Sequence, residues 1–213
     1  MRTLKIIFLL ALLVSFYACK QVVDAAQNWT TADESTKVEG KYHTLEDDNL
    51  RIFLPKGFER KSIQQYSEAI DSIATDKKAK NQMIKNLQAT KDMSKGNFYL
   101  FYNAEFMSEY YLMTTPYFDF NRQDAKSILG MITQVHNVPT NVTTNFEKIH
   151  ASFRATDDVK IFKAIYKVHN VEVNKFFYKS YYVLSTSTKK TMQIVLTTPF
   201  EVDFDPFIAK TKI

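Results

Sequence analysis

From residue 146 onward, apolar and polar residues alternate with a period of two. Ile149, Ala151, Phe153 and Ala155 alternate with Lys148, His150, Ser152 and Arg154. Phe162, Ala164, Tyr166 and Val168 alternate with Lys163 and Lys167. Phe176, Tyr178, Tyr182 and Leu184 share one face of a long strand, and Met192, Ile194 and Leu196 share a face of the next. Side chains of a strand point alternately to opposite faces, so each set marks a side turned to a core. Asp157-Asp158, His169-Asn170 and Thr188-Lys189 are the expected turns. Consecutive strands joined by short polar turns predict a four-stranded antiparallel meander.

Ahead of residue 146 the pattern is mixed. Leu50, Ile52 and Leu54 alternate with Arg51 and predict a strand stopped by Pro55-Lys56-Gly57. Ser62 and Gln65 have the spacing of a capping box, and Ile63, Tyr66, Ile70 and Ile73 line one face of the helix it opens. A second helix over 77–92 turns Met83, Ile84 and Leu87 inward, with Lys77, Lys78, Lys80, Lys85 and Lys91 on a solvated face. Strands over 97–103 and 108–114 form a hairpin. Asn121 caps a helix over 122–136, with Ala125, Ile128, Leu129, Ile132 and Val135 as its apolar stripe and Asp124 suiting its dipole. Asp205 and Pro206 predict a short closing helix with Asp at its cap.

The first residues carry a different signal. Arg2 and Lys5 precede a run from Ile6 to Val14 with no polar residue, too short to cross a bilayer and of signal-peptide length. It ends in Phe16-Tyr17-Ala18-Cys19, which resembles the lipobox of bacterial lipoproteins. That resemblance implies cleavage before Cys19, diacylglycerylation of its thiol and an envelope protein anchored to a bilayer through that one residue. Phe16 stands where the motif usually has Leu, and Tyr17 is bulkier than usual. The competing reading is plain secretion with cleavage after Ala25, at Val23-Asp24-Ala25. The expected division is a signal peptide over 1–18, a lipidated cysteine and tether over 19–45, and a single α+β domain over 46–213. Residues 20–44 are polar and small, without apolar period.

The order strand, helices, hairpin, helix, meander, helix predicts an antiparallel sheet covered by helices. With Leu50-Arg51-Ile52-Phe53-Leu54-Pro55-Lys56-Gly57-Phe58 near its start and Phe204-Asp205-Pro206-Phe207-Ile208 at its close, it resembles the PsbP-like fold. The resemblance covers about residues 48–213 and implies an α/β/α sandwich. Members of that fold mostly bind or chaperone other proteins, so it implies an envelope protein partner and no catalysis.

Composition narrows the remaining choices. The formal net charge is +5, and Arg2 and Lys5 of the signal account for two of it. Lysines alternate with acids and aromatics, which lacks the basic stripe of a nucleic-acid binder. With Gly 4 and Cys 1, neither a glycine-rich phosphate loop nor an intrachain disulfide is expected. His43, His136, His150 and His169 include no His-x-x-x-His pair. His136, at a helix end, is expected as a cation, and His150 could meet His169 across the strands. A zinc site needs three or four ligands, so no metal and no cofactor are expected. Tyr117, Phe118 and Phe120, around Asp119, form an aromatic loop read either as a plug of the core edge or as a partner-binding rim. The function expected is therefore non-catalytic protein binding or chaperoning at a membrane, with a small-molecule or lipid carrier as the alternative.

Overall fold

The computed structural model describes residues 38–71, 77–136 and 144–212. In chain order the elements are β1 (Lys41–Leu45), β2 (Leu50–Leu54), β3 (Glu59–Lys61), α1 (Ile63–Asp71) and α2 (Lys77–Met93). Next come β4 (Phe98–Asn103), β5 (Ser108–Thr115) and α3 (Arg122–His136). They are followed by β6 (Thr144–Ala155), β7 (Val159–Asn170), β8 (Lys175–Thr186), β9 (Thr191–Thr198) and α4 (Asp205–Ile208). The fold is mostly antiparallel sheet with a few helices. β1 and β2 form a two-stranded sheet, and the others form a seven-stranded sheet in the order β3-β4-β5-β9-β8-β7-β6. β1 falls inside the segment read as a tether, so the folded chain starts ahead of residue 46. Leu45 is the one buried side chain of β1, which leaves no apolar alternation to read.

The chain forms two compact units. Among the described residues, the smaller contains 38–43, Ile52–Lys56 and Val202–Thr211. Its core is aromatic: Phe53 meets Tyr42 edge-on at 4.9 Å and stacks on Phe207 at 6.0 Å, and Phe204 stacks on Phe207 at 4.9 Å. α4 begins after Phe204 rather than at an Asp205 cap. Asp203 supplies the carboxylate there, accepting the Asp205 N–H at 3.1 Å.

The larger unit holds the seven-stranded sheet. Register aligns Tyr102, Glu109, Thr197, Lys179 and Tyr166 in one row across it. The next row is Leu100, Tyr111, Val195, Tyr181 and Ala164, and the one after is Phe98, Met113, Gln193, Val183 and Phe162. These rows share a face. Tyr66, Ile70 and Leu87 from α1 and α2 cluster with Leu100 and Tyr102. Ala125 of α3 and Phe120 ahead of it cluster with Phe162, Ala164 and Tyr166, and Ile128, Leu129 and Ile132 pack against that core. Each fully buried Phe or Leu side chain contributes about 1.5–3 kcal/mol.

The caps follow the sequence. Ser62 Oγ accepts the Gln65 N–H at 3.1 Å, and Gln65 Oε1 accepts the Ser62 N–H at 2.9 Å. Asn121 Oδ1 accepts the Gln123 N–H at 2.7 Å, and Asp124 closes a reciprocal bond by accepting the Asn121 N–H at 2.9 Å. Such a cap stabilises a helix by about 1 kcal/mol.

Several expectations give way to packing. Lys80 is buried against Asp71 instead of lying on the solvated face, while Met83 is 37% exposed. Lys163 is also buried, with its ammonium 5.7 Å from the centre of the Tyr182 ring. β7 runs through Asn170, and the turn falls at 171–174, where Asn170 Oδ1 accepts the Glu172 N–H at 3.1 Å. A bulge between Lys148 and His150 takes Ile149 out of the ladder and leaves it exposed.

Candidate ligand-binding groove

β5, β9 and β8 carry the middle of the three rows, between the two clusters under the helices. There the face is open as a groove of about 480 Å³. Met113, Val195 and Val183 floor it, and Ile128, Met131, Ile132 and Val135 of α3 form a wall. Turns of α3 place these four at i, i+3, i+4 and i+7, which is one helical face. Met131 is 58% exposed and Val135 68%, so this apolar rim faces solvent. Gln193 places an exposed amide in the middle of the floor. Volume, apolar lining and sparse polar groups match small-molecule sites, which span about 300–1,000 Å³.

Polarity changes along the strands. Two residues beyond Tyr111 and Tyr181, on the same face, stand Glu109 and Lys179. The Tyr66 hydroxyl donates to Glu109 Oε2 at 2.7 Å, which ties α1 to β5. Burial pushes the Glu109 carboxyl above its usual range, opposed by that bond and by the Lys179 charge. Burial pulls the Lys179 ammonium down, and Glu109 opposes this through its field. Among the described residues no carboxylate comes within 4.0 Å of Lys179 Nζ, and no hydrogen bond forms to it.

His136 ends α3 at the same end of the groove. Its ring stacks on Phe146 at 4.2 Å and tilts against Tyr166 at 4.6 Å, and its Nε2 lies 3.1 Å from the Tyr181 hydroxyl. Burial, and then the Lys179 charge, lower its pKa from 6.5 to about 4. The expectation of a cationic imidazole is therefore corrected: desolvation outweighs the helix dipole. The Tyr66, Tyr111 and Tyr181 phenols are all raised, chiefly by burial, and stay neutral.

The residues singled out in the sequence separate. Phe120 is fully buried and meets Phe153 edge-on at 5.7 Å, so it plugs the core. Phe118 stacks on Phe120 at 6.1 Å, is 47% exposed and lines one end of the groove. Tyr117 is 44% exposed and lines a separate hollow with Asp119 and Lys160. His150 and His169 do not meet: His150 opposes Ile165, and His169 opposes Asn145 and stacks on Phe176 at 4.3 Å. His43 is on β1, where burial and then Lys41 lower its pKa to about 4. Among the described residues no group of three or more His, Cys, Asp and Glu is placed to hold a metal ion. Cys19 lies outside the described residues. No described helix is long and apolar enough to cross a membrane.

Glu109, Lys179 and Tyr181 escape the sequence reading, as does the bond that the inward-facing Tyr66 makes to Glu109. Glu109 and Lys179 become neighbours only because β9 pairs with both β5 and β8. The available signal was a lone charge within an aromatic strand at each site, Ser108-Glu109-Tyr110 and Tyr178-Lys179-Ser180.

No protein-family model matches the chain, and none of the curated proteins does. Among solved structures, the chain is similar to the solution structure of cyanobacterial PsbP (CyanoP) from Synechocystis sp. PCC 6803. The two are 10% identical, the match covers 86% of this chain and 98% of that one, and the TM-score is 0.47. A likeness of this degree assigns neither family nor function to the chain.

Proposed function

We propose that the chain is a non-catalytic binding protein of the cell envelope, held to a bilayer through Cys19, and that the α3 groove takes a small ligand with an apolar chain. The observation that carries this reading is the solvent-facing apolar rim of Met131 and Val135 over a floor of Met113, Val195 and Val183. An open apolar surface beside a packed core usually marks a binding site. The membrane attachment rests on the lipobox-like Ala18-Cys19 and on the energetics of acyl chains, which contribute about 0.8 kcal/mol per buried CH₂. Two measurements test the reading. Mass spectrometry of the mature N-terminus should find acyl chains on Cys19, and Cys19→Ser should move the protein from the membrane to the soluble fraction. A hydrophobic fluorescent probe should bind the chain and be displaced by long-chain amphiphiles; no saturable binding would remove the carrier reading.

Protein capture is the second reading, favoured by the exposure of Tyr117 and Phe118. Co-purification of one envelope protein that is lost with Tyr117→Ser would support it.

A further inference from the structure

Beyond one end of the groove, two residues past its lining residues Tyr111 and Tyr181, stand Glu109 and Lys179. Lys179 projects from the same face as Tyr181 and Val183, which line the floor. Its neighbours on that face are Glu109, Tyr111, Tyr166, Tyr181 and Thr197, with His136 from α3. Glu109 is turned to Tyr66, whose hydroxyl it accepts, and makes no ion pair with Lys179. His136 is engaged with Tyr181, and Tyr166 with Thr133 at 2.7 Å. Lys179 is thus a half-buried ammonium with donors left over. The Tyr111 hydroxyl, one row nearer the groove, likewise makes no hydrogen bond among the described residues. Neither atom is among the buried side-chain atoms left without a partner, so both are open to water and a ligand acceptor can take water's place.

We propose that the groove takes an amphipathic monocarboxylate, with its carboxylate accepting from Lys179 Nζ and the Tyr111 hydroxyl and its chain lying along α3. This rests on the carrier reading above and adds the headgroup. One cation, with the neighbouring Glu109 carboxyl turned to Tyr66, matches no more than a single negative charge; a phosphate monoester brings nearly two, which are better met by arginines or several donors. The distance from Lys179 to Val183 along β8 is about 13 Å, at about 3.3 Å per residue, and α3 runs beside it from Val135 to Ile128. The chain end therefore reaches the Phe118 end of the groove.

The test uses the full chain in phosphatidylcholine nanodiscs and a palmitate analogue bearing a mid-chain diazirine. After irradiation, labelled peptides are mapped by mass spectrometry, with unlabelled palmitate, hexadecanol or hexadecyl phosphate as competitors. Labelling should fall on the peptides carrying Met131, Val135 and Val183. Palmitate should compete at a concentration at least tenfold below hexadecanol and below hexadecyl phosphate. Lys179→Met should abolish that preference while labelling persists, and Lys179→Arg should keep it; both variants are compared at matched circular dichroism. Equal competition by palmitate and hexadecanol in the unaltered chain overturns the headgroup and leaves the groove intact. Stronger competition by hexadecyl phosphate overturns the carboxylate. Absence of label from the groove peptides overturns both readings together.

Discussion

The Tyr66 hydroxyl donates to the Glu109 carboxylate at 2.7 Å, across 43 residues of chain. It is the hydrogen bond that fastens α1 to the middle of the sheet, and it is formed by a phenol that burial keeps neutral and a carboxyl that burial keeps reluctant to ionise. Tyr66→Phe should destabilise the protein by about 1–3 kcal/mol at neutral pH, because the half-buried acceptor loses its donor. The pH dependence has a definite sign. Glu109 is raised in the folded chain, so the stability it contributes is present below its ordinary value of 4.5 and is lost as pH rises through the folded value. Tyr66 holds the folded value down, so its removal should cost more at pH 7 than at pH 4. Urea titration of both proteins at the two pH values measures this; an equal loss at both would show that Glu109 does not ionise in the fold.

His136 gives the opposite slope. Its folded value is depressed to about 4 from 6.5, so its contribution is present above 6.5 and is lost as pH falls toward 4. His43 shifts over the same window. His136→Gln should therefore flatten the loss of stability between those values by roughly half, leaving the part due to His43. Comparing midpoints at pH 7 and pH 5 separates this from the constant cost of lost stacking.

Phe118 and Phe120 should differ sharply although they are two residues apart. Phe120→Ala empties a fully buried site and should cost about 3–5 kcal/mol. Phe118→Ala removes an exposed ring with one stacked contact and should cost under about 1.5 kcal/mol. Thermal melts of the two variants decide it.

Met131→Asp places a charge in the groove at a position 58% exposed. Stability should change by no more than about 0.5 kcal/mol. Displacement of a hydrophobic probe should weaken at least tenfold. Unchanged probe binding would place the ligand elsewhere.

Gly57 has φ of +90°, and a Cβ there would lie 2.7 Å from Asn103 Nδ2. Asn103 is buried, and its Oδ1 accepts the Phe106 N–H at 3.1 Å in the β4–β5 turn. Gly57→Ala should therefore destabilise by about 1–3 kcal/mol through backbone strain and the displaced amide. Chemical denaturation measures it.

The alternation of Phe162, Ala164, Tyr166 and Val168 could be read from the chain because this face of β7 is apolar over four successive positions, and all four are buried. The caps of α1 and α3 were legible for the same local reason: each needs only a side chain three residues from another. β3 was not, since Glu59-Arg60-Lys61 is charged and owes its strand to pairing with β4. The burial of Lys80 is not legible, because a sequence shows charge but not the carboxylate that will meet it. Phe118 was legible as an exposed aromatic, but the Glu109–Lys179 row arises because β9 pairs both with β8 and with the distant β5, which leaves no local pattern.

The bulge at Ile149 has a consequence for how molecules meet. β6 is twelve residues long and, among the described residues, pairs on one side only, at the end of the sheet. A flat border of that length would template addition of strands from other copies and stacking into fibrils. The extra residue twists the border midway, next to Glu147, Lys148 and His150, and breaks the run of unmet donors and acceptors into two short pieces. A chain lacking Ile149 would offer neighbours an unbroken seam.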